Sequence, residues 1–154
     1  MKPRILALLA AATLLLGAPS PVHADDSSPH PDVAYAMAAV PGGVMLDEDT
    51  VIWPALGMTL SAESPESAVS RTVGSCGTGL FCAYSGTDQS GTKLSFSACT
   101  TVSTAALSSV RSVANARSSG NVQARNSSGT VLATAAAGSA VNVGGTTVSL
   151  RCTL

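Results

Sequence analysis

The side chains that could do chemistry in this chain are few: four cysteines (Cys76, Cys82, Cys99, Cys152), two histidines (His23, His30), and the carboxylates of Asp47-Glu48-Asp49 and Asp88. A Ser-His-Asp or Cys-His hydrolase needs a positioned base beside its nucleophile, and His30, set between Pro29 and Pro31, is poorly placed to be one. Metal-dependent hydrolysis would want histidine ligands. The cysteines do not supply a zinc site either, because five, sixteen and fifty-two residues separate them and no C-x-x-C pair occurs. Asp47, Glu48, Asp49 and Asp88 could flank a glycosidic bond as acid and base. The triplet, however, lies between two apolar runs, where a charged turn is ordinary, and Asp88 falls in the loop from Gly86 to Gly91. Gly74, Gly77 and Gly79 follow no βαβ pattern and read as loop glycines, not a phosphate cradle. The residues therefore point away from an enzyme and call for no cofactor or metal.

What remains is disulfide chemistry, and the N-terminus says why it is permitted. Lys2 and Arg4 precede an uncharged apolar run from Ile5 to Leu16, then Gly17, Pro19 and Pro21 interrupt it, and Val22-His23-Ala24 offers a peptidase site before Asp25. The run is shorter than the roughly 20 residues that span a bilayer. Residues 1–24 thus read as a signal peptide, and the product as secreted, with no membrane-spanning segment after cleavage. Cleavage would leave 130 of the 154 residues and remove His23. An even number of cysteines in such a protein implies bridges, with three connectivities possible. Cys76 with Cys82 and Cys99 with Cys152 is the preferred pairing, because Gly77 and Gly79 let a short loop turn back on itself.

The elements that must position these groups are mostly strands. Residues 25–34 are polar and proline-bearing and read as a disordered acidic leader. Residues 35–70 read as an N-terminal hairpin, with Val44-Met45-Leu46, Val51-Ile52-Trp53 and Met58 to Ser61 as its apolar stretches, followed by a linker. From 71 to 154, seven β-prone stretches recur between Gly, Ser and Asn: Phe81 to Tyr84, Thr92 to Ser97, Val110 to Ala114, Asn121 to Arg125, Thr130 to Thr134, Ser139 to Val143 and Thr146 to Cys152. Alternation in Lys93-Leu94-Ser95-Phe96-Ser97 and Thr146-Thr147-Val148-Ser149-Leu150 is that of strands with one buried face. The fold class is all-β, a disulfide-stapled sandwich or barrel.

Charge is unevenly spread. Eight acids precede Ser67 in the expected mature chain with no base among them, whereas six bases and only Asp88 follow it. This suggests a solvated acidic arm or an acidic segment lying against a basic domain, in preference to a prosegment. The five aromatic residues, Tyr35, Trp53, Phe81, Tyr84 and Phe96, give nucleic-acid bases little to stack on, so no nucleic-acid partner is expected. A monomer is expected.

One stretch carries a more specific signal. The run Cys76-Gly-Thr-Gly-Leu-Phe-Cys82-Ala-Tyr84, then Gly91-Thr-Lys-Leu-Ser-Phe96 and Cys99, then Ser108-Ser109-Val110-Arg111-Ser112-Val113-Ala114-Asn115, resembles the secreted actinobacterial peptidase-inhibitor family typified by Streptomyces metalloproteinase inhibitor. The resemblance implies a βγ-crystallin-like Greek-key sandwich, here with an additional N-terminal β-hairpin. In it, Tyr84 and Gly91 bracket a folded hairpin and Ser109 ties that hairpin down. Gly91 suits the positive φ such a hairpin needs, and a serine hydroxyl can satisfy backbone groups it leaves unpaired. The second half departs from the pattern, with Gln123-Ala124-Arg125 where an aromatic would stand. Thr104 to Leu107 lack the paired Asp or Asn of calcium-binding crystallin modules, so calcium is not implied.

The resemblance implies an inhibitor of an extracellular metallo- or serine protease that presents a rigid loop, since rigidity lowers the ordering cost of binding. The loop singled out is Ala98-Cys99-Thr100-Thr101-Val102, anchored at Cys99 and built from small residues. The other reading is a non-inhibitory secreted or cell-surface binding module on the same scaffold.

Overall fold

The computed structural model describes residues 28–62 and 74–154. The segment 1–24, read as a signal peptide, and most of the linker expected before residue 71 lie outside the described residues. The first element among the described residues is a helix, α1 (Pro31–Ala39). Its start is determined locally: proline at the first helical position loses no needed N–H, His30 Nδ1 accepts the Asp32 N–H at 3.2 Å, and Asp32 places a negative charge in the first turn. Val33 and Ala36, three residues apart, are fully buried on one face. Residues 31–34, expected as part of a disordered leader, are thus helical. The proline content that suggested disorder is a helix start here, and the buried Thr92 hydroxyl donates to the Asp32 carboxylate, tying the helix to the sheet.

Eleven strands follow among the described residues: β1 (Val44–Met45), β2 (Thr50–Trp53), β3 (Met58–Ser61), β4 (Phe81–Tyr84), β5 (Lys93–Phe96), β6 (Thr101–Ser103), β7 (Ser112–Asn115), β8 (Asn121–Arg125), β9 (Val131–Ala136), β10 (Ser139–Asn142) and β11 (Ser149–Thr153). They form two antiparallel sheets, ordered β1-β2-β3-β5-β4-β7-β10 and β6-β11-β8-β9. The chain from β4 onward divides into two runs of four strands, β4 to β7 and β8 to β11. In each run the fourth strand pairs with the first, while the third strand, β6 or β10, lies in the other run's sheet. This exchange locks the halves together. The stretches read as strands from the sequence correspond to β4, β5 and β7 to β11. The N-terminal stretches form a meander, β1 to β3, whose last strand pairs with β5 from Met58–Phe96 to Ser61–Lys93, so it extends the large sheet rather than standing apart.

Between the sheets lies the main core: Leu60, Phe81, Leu94, Phe96, Val113, Val122 and Leu150 are all essentially inaccessible, with Phe81 and Phe96 stacked at 5.1 Å between ring centroids. Trp53 joins this core through its ring and donates its indole N–H to the Val40 carbonyl at 2.9 Å. Gly43 allows that approach, because a Cβ there would stand 2.9 Å from both the Trp53 ring and Val51. Strands β4 and β7 are buried on both faces. Phe81 and Ala83 face the main core, whereas Cys82 and Tyr84 face a second small cluster with Cys76, Ala114 and Ala116 under the loop that precedes β4.

Candidate functional site

Both disulfides pair as preferred from loop closure: Cys76 with Cys82 and Cys99 with Cys152. The second bridge builds the more exposed feature. After β5, Ser97 is fastened at its N–H, which donates to the Gly57 carbonyl at 3.0 Å, and its hydroxyl donates to the same oxygen at 3.2 Å. Ala98 and Thr100 stand in solvent on either side of half-buried Cys99, and the chain then enters β6. The segment expected as a loop, Cys99-Thr100-Thr101-Val102, is therefore a short exposed connection that continues into a three-residue edge strand. Three residues are too few for the sequence to show alternation, and β6 exists because its partner β11 lies about 50 residues on.

The ladder sets which backbone groups are free. The Cys152 N–H donates to the Thr100 carbonyl at 3.0 Å and the Thr104 N–H to the Val148 carbonyl at 3.1 Å. In an antiparallel pair such residues alternate, so 100, 102 and 104 face β11 while Thr101 and Ser103 turn their N–H and C=O toward the open edge. Side chains alternate likewise: Thr101 and Ser103 are exposed, and Val102 packs on the core. The result is an extended, cross-linked strand with an unoccupied hydrogen-bonding edge among the described residues.

The other bridge closes a smaller loop, Gly77 to Phe81, that is held from behind. Gly79 N–H donates to the Ala116 carbonyl at 2.8 Å, and an Arg117 guanidinium N–H donates to the Gly79 carbonyl at 3.2 Å. Its cysteines are buried with Tyr84, whose phenol accepts from the Ser75 hydroxyl at 3.3 Å. Burial pushes the Tyr84 phenol above its ordinary value, and the bond from Ser75 partly offsets this. Lys93 Nζ donates to the Ser75 carbonyl at 2.9 Å, and burial pulls that amine below its ordinary value.

The hairpin between β4 and β5 closes directly after Tyr84, where the Ser85 N–H donates to the Thr92 carbonyl at 3.0 Å. Gly91 takes φ +76°, and a Cβ there would meet Gly86 N at 3.0 Å, so glycine is required. Ser109, expected to tie this hairpin down, donates to the Ser85 carbonyl at a long 3.4 Å from an exposed position. Two shorter bonds come from buried Ser112, which donates to the Gly86 carbonyl at 2.8 Å and accepts the Gln89 N–H at 3.0 Å. The sequence reading passed over Ser112, although its place in a strand core as a lone hydroxyl was the available signal. At the hairpin tip Asp88 and Asn142 bond reciprocally, Asn142 Oδ1 accepting the Asp88 N–H at 2.8 Å and Asn142 Nδ2 donating to the carboxylate at 2.9 Å. Asp47, Glu48 and Asp49 occupy a separate turn between β1 and β2, where Asp47 accepts the Asp49 N–H at 3.0 Å. The structure does not bring the acids together as a pair. Among the described residues no three His, Cys, Asp or Glu side chains gather as a metal site would require.

Residues 69–125 match peptidase inhibitor family I36. This is the family identified from the cysteine and tyrosine pattern above, and it is a family of inhibitors, not enzymes. The family I36 match takes in the Cys76–Cys82 bridge, the folded hairpin, Cys99 and β6, and ends at the last residue of β8. Cys152 and β11, which fix the edge strand, lie beyond it, as do β1 to β3. Neither the curated proteins nor the solved structures contain a match to the chain. A peptidase-inhibitor role in general and two disulfides fit an extracellular protein. Among the described residues no helix is long and apolar enough to cross a membrane.

Proposed function

We propose that this protein is a secreted inhibitor that offers the segment Ala98 to Ser103 to the cleft of a metallo- or serine peptidase as a rigid, extended strand. The observation that carries the reading is the coincidence, inside the family-matched region and at a disulfide, of an exposed edge strand whose Thr101 and Ser103 backbone groups are open. An extended segment adds to a partner by main-chain hydrogen bonds, and a segment already held extended gives up little entropy when it does so. The strand exchange between the two four-strand runs supports a βγ-crystallin-like scaffold beneath it. Cleavage after Ala24 would deliver the domain to an oxidising compartment where both bridges persist.

The test is a panel of extracellular metallo- and serine peptidases against the mature, oxidised protein, with Thr101→Pro and Thr101→Ala in parallel. Proline removes an N–H that faces the open edge, not the ladder, so the fold keeps its hydrogen bonds. One lost main-chain bond weakens inhibition about tenfold, while alanine stays near wild type. Absence of inhibition across the panel sinks the proposal. In that event the reading of a non-inhibitory binding module stands, favoured by the apolar edge strand β1 and the residue after it, where Val44, Met45 and Leu46 are 52%, 46% and 61% exposed.

A further inference from the structure

The strand that carries the inhibitory reading is the margin of a larger surface. Reading straight across the four-stranded sheet, the ladders align Thr101, Arg151, Gln123 and Thr134 in one row, and Ser103, Ser149 and Arg125 in the next. Their neighbours along each strand, Val102, Leu150, Val122, Ala124 and Ala135, point to the core. The outer face is therefore made mainly of hydroxyls, the amides of Asn121 and Gln123 and two guanidiniums, with Ala136 and exposed Val131 along its β9 margin. It carries no carboxylate side chain, because no acidic residue occurs after Asp88, whereas Lys93, Arg111, Arg117, Arg125 and Arg151 do. The described acids lie on α1, in the β1–β2 turn and at the β4–β5 hairpin. The charge split along the sequence is thus also a split in space.

The two arginines are poised rather than neutralised. Arg151 is exposed, and Arg125 donates through Nη2 to Gln123 Oε1 at 2.7 Å, which lays its guanidinium along the sheet and leaves its buried Nε without an acceptor. Diagonal neighbours on adjacent strands stand about 7–8 Å apart, so the two cations repel weakly and share one region of positive potential. An acidic group placed over them would relieve the repulsion and occupy the free donors.

We propose that this face docks an acidic protein surface and, resting on the inhibitory reading above, that its partner is an acidic rim beside the peptidase cleft that receives β6. A nucleic acid fits less well, since the face offers two cations and no aromatic ring for stacking. Charges at the margin of an interface act chiefly on the association rate and on its salt dependence.

The experiment compares Arg151→Glu with the charge-matched Arg111→Glu. Both residues are exposed, and Arg111 lies before β7, off this face. Unchanged near-ultraviolet circular dichroism and melting establish that each variant folds, and Arg151→Gln serves if Arg151→Glu does not. With a peptidase from the panel that the protein inhibits, Arg151→Glu slows association about tenfold at low ionic strength, the gap closes at high salt, and Arg111→Glu stays within about twofold. Equal slowing by both variants overturns the proposal, because it would mark an effect of net charge alone. If no peptidase in the panel is inhibited, the inhibitory reading fails while the face is still tested, with immobilised poly-glutamate as the probe. Retention of the wild type, whose expected mature form carries nine acids against six bases, and its loss in Arg151→Glu but not in Arg111→Glu, supports the face. No retention, retention on DNA in its place, or a salt-sensitive dimer in sedimentation that Arg151→Glu abolishes overturns it, the last by assigning the face to a second copy of the chain.

Discussion

Removing the Cys99–Cys152 bridge by paired substitution to alanine should cost this protein about 4 kcal/mol of stability, and the figure follows from where the bridge sits. The two cysteines are 53 positions apart, so the crosslink closes nearly the whole of β6 to β11 into one loop. In the chain-entropy treatment such a loop restricts the unfolded state by about 4 kcal/mol at 25 °C, whereas the Cys76–Cys82 pair, 6 apart, restricts it by about 2 kcal/mol. A small domain has only about 5–15 kcal/mol in total, and this core holds few large side chains, so the loss should be plain in urea unfolding. Two signatures separate the entropic cause from mere loss of packing. The midpoint falls, and the slope of free energy against urea rises, because an unfolded chain freed of its long crosslink exposes more surface. The Cys76→Ala, Cys82→Ala pair should change the slope far less, since it opens a short loop. Packing can still lower its midpoint, because both sulfurs are buried beside Tyr84. A loss under about 1 kcal/mol for the long bridge, or an unaltered slope, would refute the reasoning and show that β6 and β11 hold without their covalent tie. On the inhibitory reading the same variant also turns a rigid segment into a flexible one, so a peptidase should cleave it.

Other consequences can be measured on the same scale. Asn115 is fully buried and bonds Gly120 O at 3.2 Å, Ala135 O at 3.4 Å and the Arg117 N–H at 3.2 Å, so Asn115→Ala should destabilise by about 2–4 kcal/mol in denaturant unfolding. Gly120 and Gly129 both take φ +80°, but a Cβ at Gly120 would lie 1.9 Å from the Thr153 carbonyl and one at Gly129 would meet nothing within 4 Å. Alanine at 129 should therefore cost about 1–2 kcal/mol, and alanine at 120 clearly more. Because the folded-state value of Tyr84 is raised above the ordinary 10.0, its contribution to stability is complete below pH 10 and is lost as pH rises through the folded value. Tyr84→Phe should flatten that alkaline loss in pH-dependent melting. Val44→Lys on the exposed edge strand β1 should leave melting nearly unchanged and reduce aggregation on heating.

The legible parts of this molecule were those decided within a few residues. Strand β4, at Phe81 to Tyr84, and strand β8, at Asn121 to Arg125, could be read to the residue because glycine or proline-free turns flank short β-prone runs. The pairing of Cys76 with Cys82 followed from a short loop with two glycines. Helix α1 was missed because Pro31 counted toward a polar, proline-bearing leader, when at the first helical position it is a starter. Strand β6 was missed for a different reason: three residues carry no period, and what makes them a strand is Ser149 to Arg151, brought alongside by the exchange of third strands.

The same distinction bears on where the function lies. The residues that match the inhibitor family stop at Arg125, yet the strand they would present is held in place by β11 and Cys152, which come later. The arginine at 151, from that later segment, stands directly beside Thr101 in the ladder. A site of this kind is divided between a stretch that a family pattern can recognise and a stretch that only the fold supplies. A truncation after Arg125 should therefore abolish inhibition even though every family-matched residue remains. Retention of tight inhibition by that fragment would show that neither the open edge of β6 nor the arginine face beside it is the part that meets the peptidase.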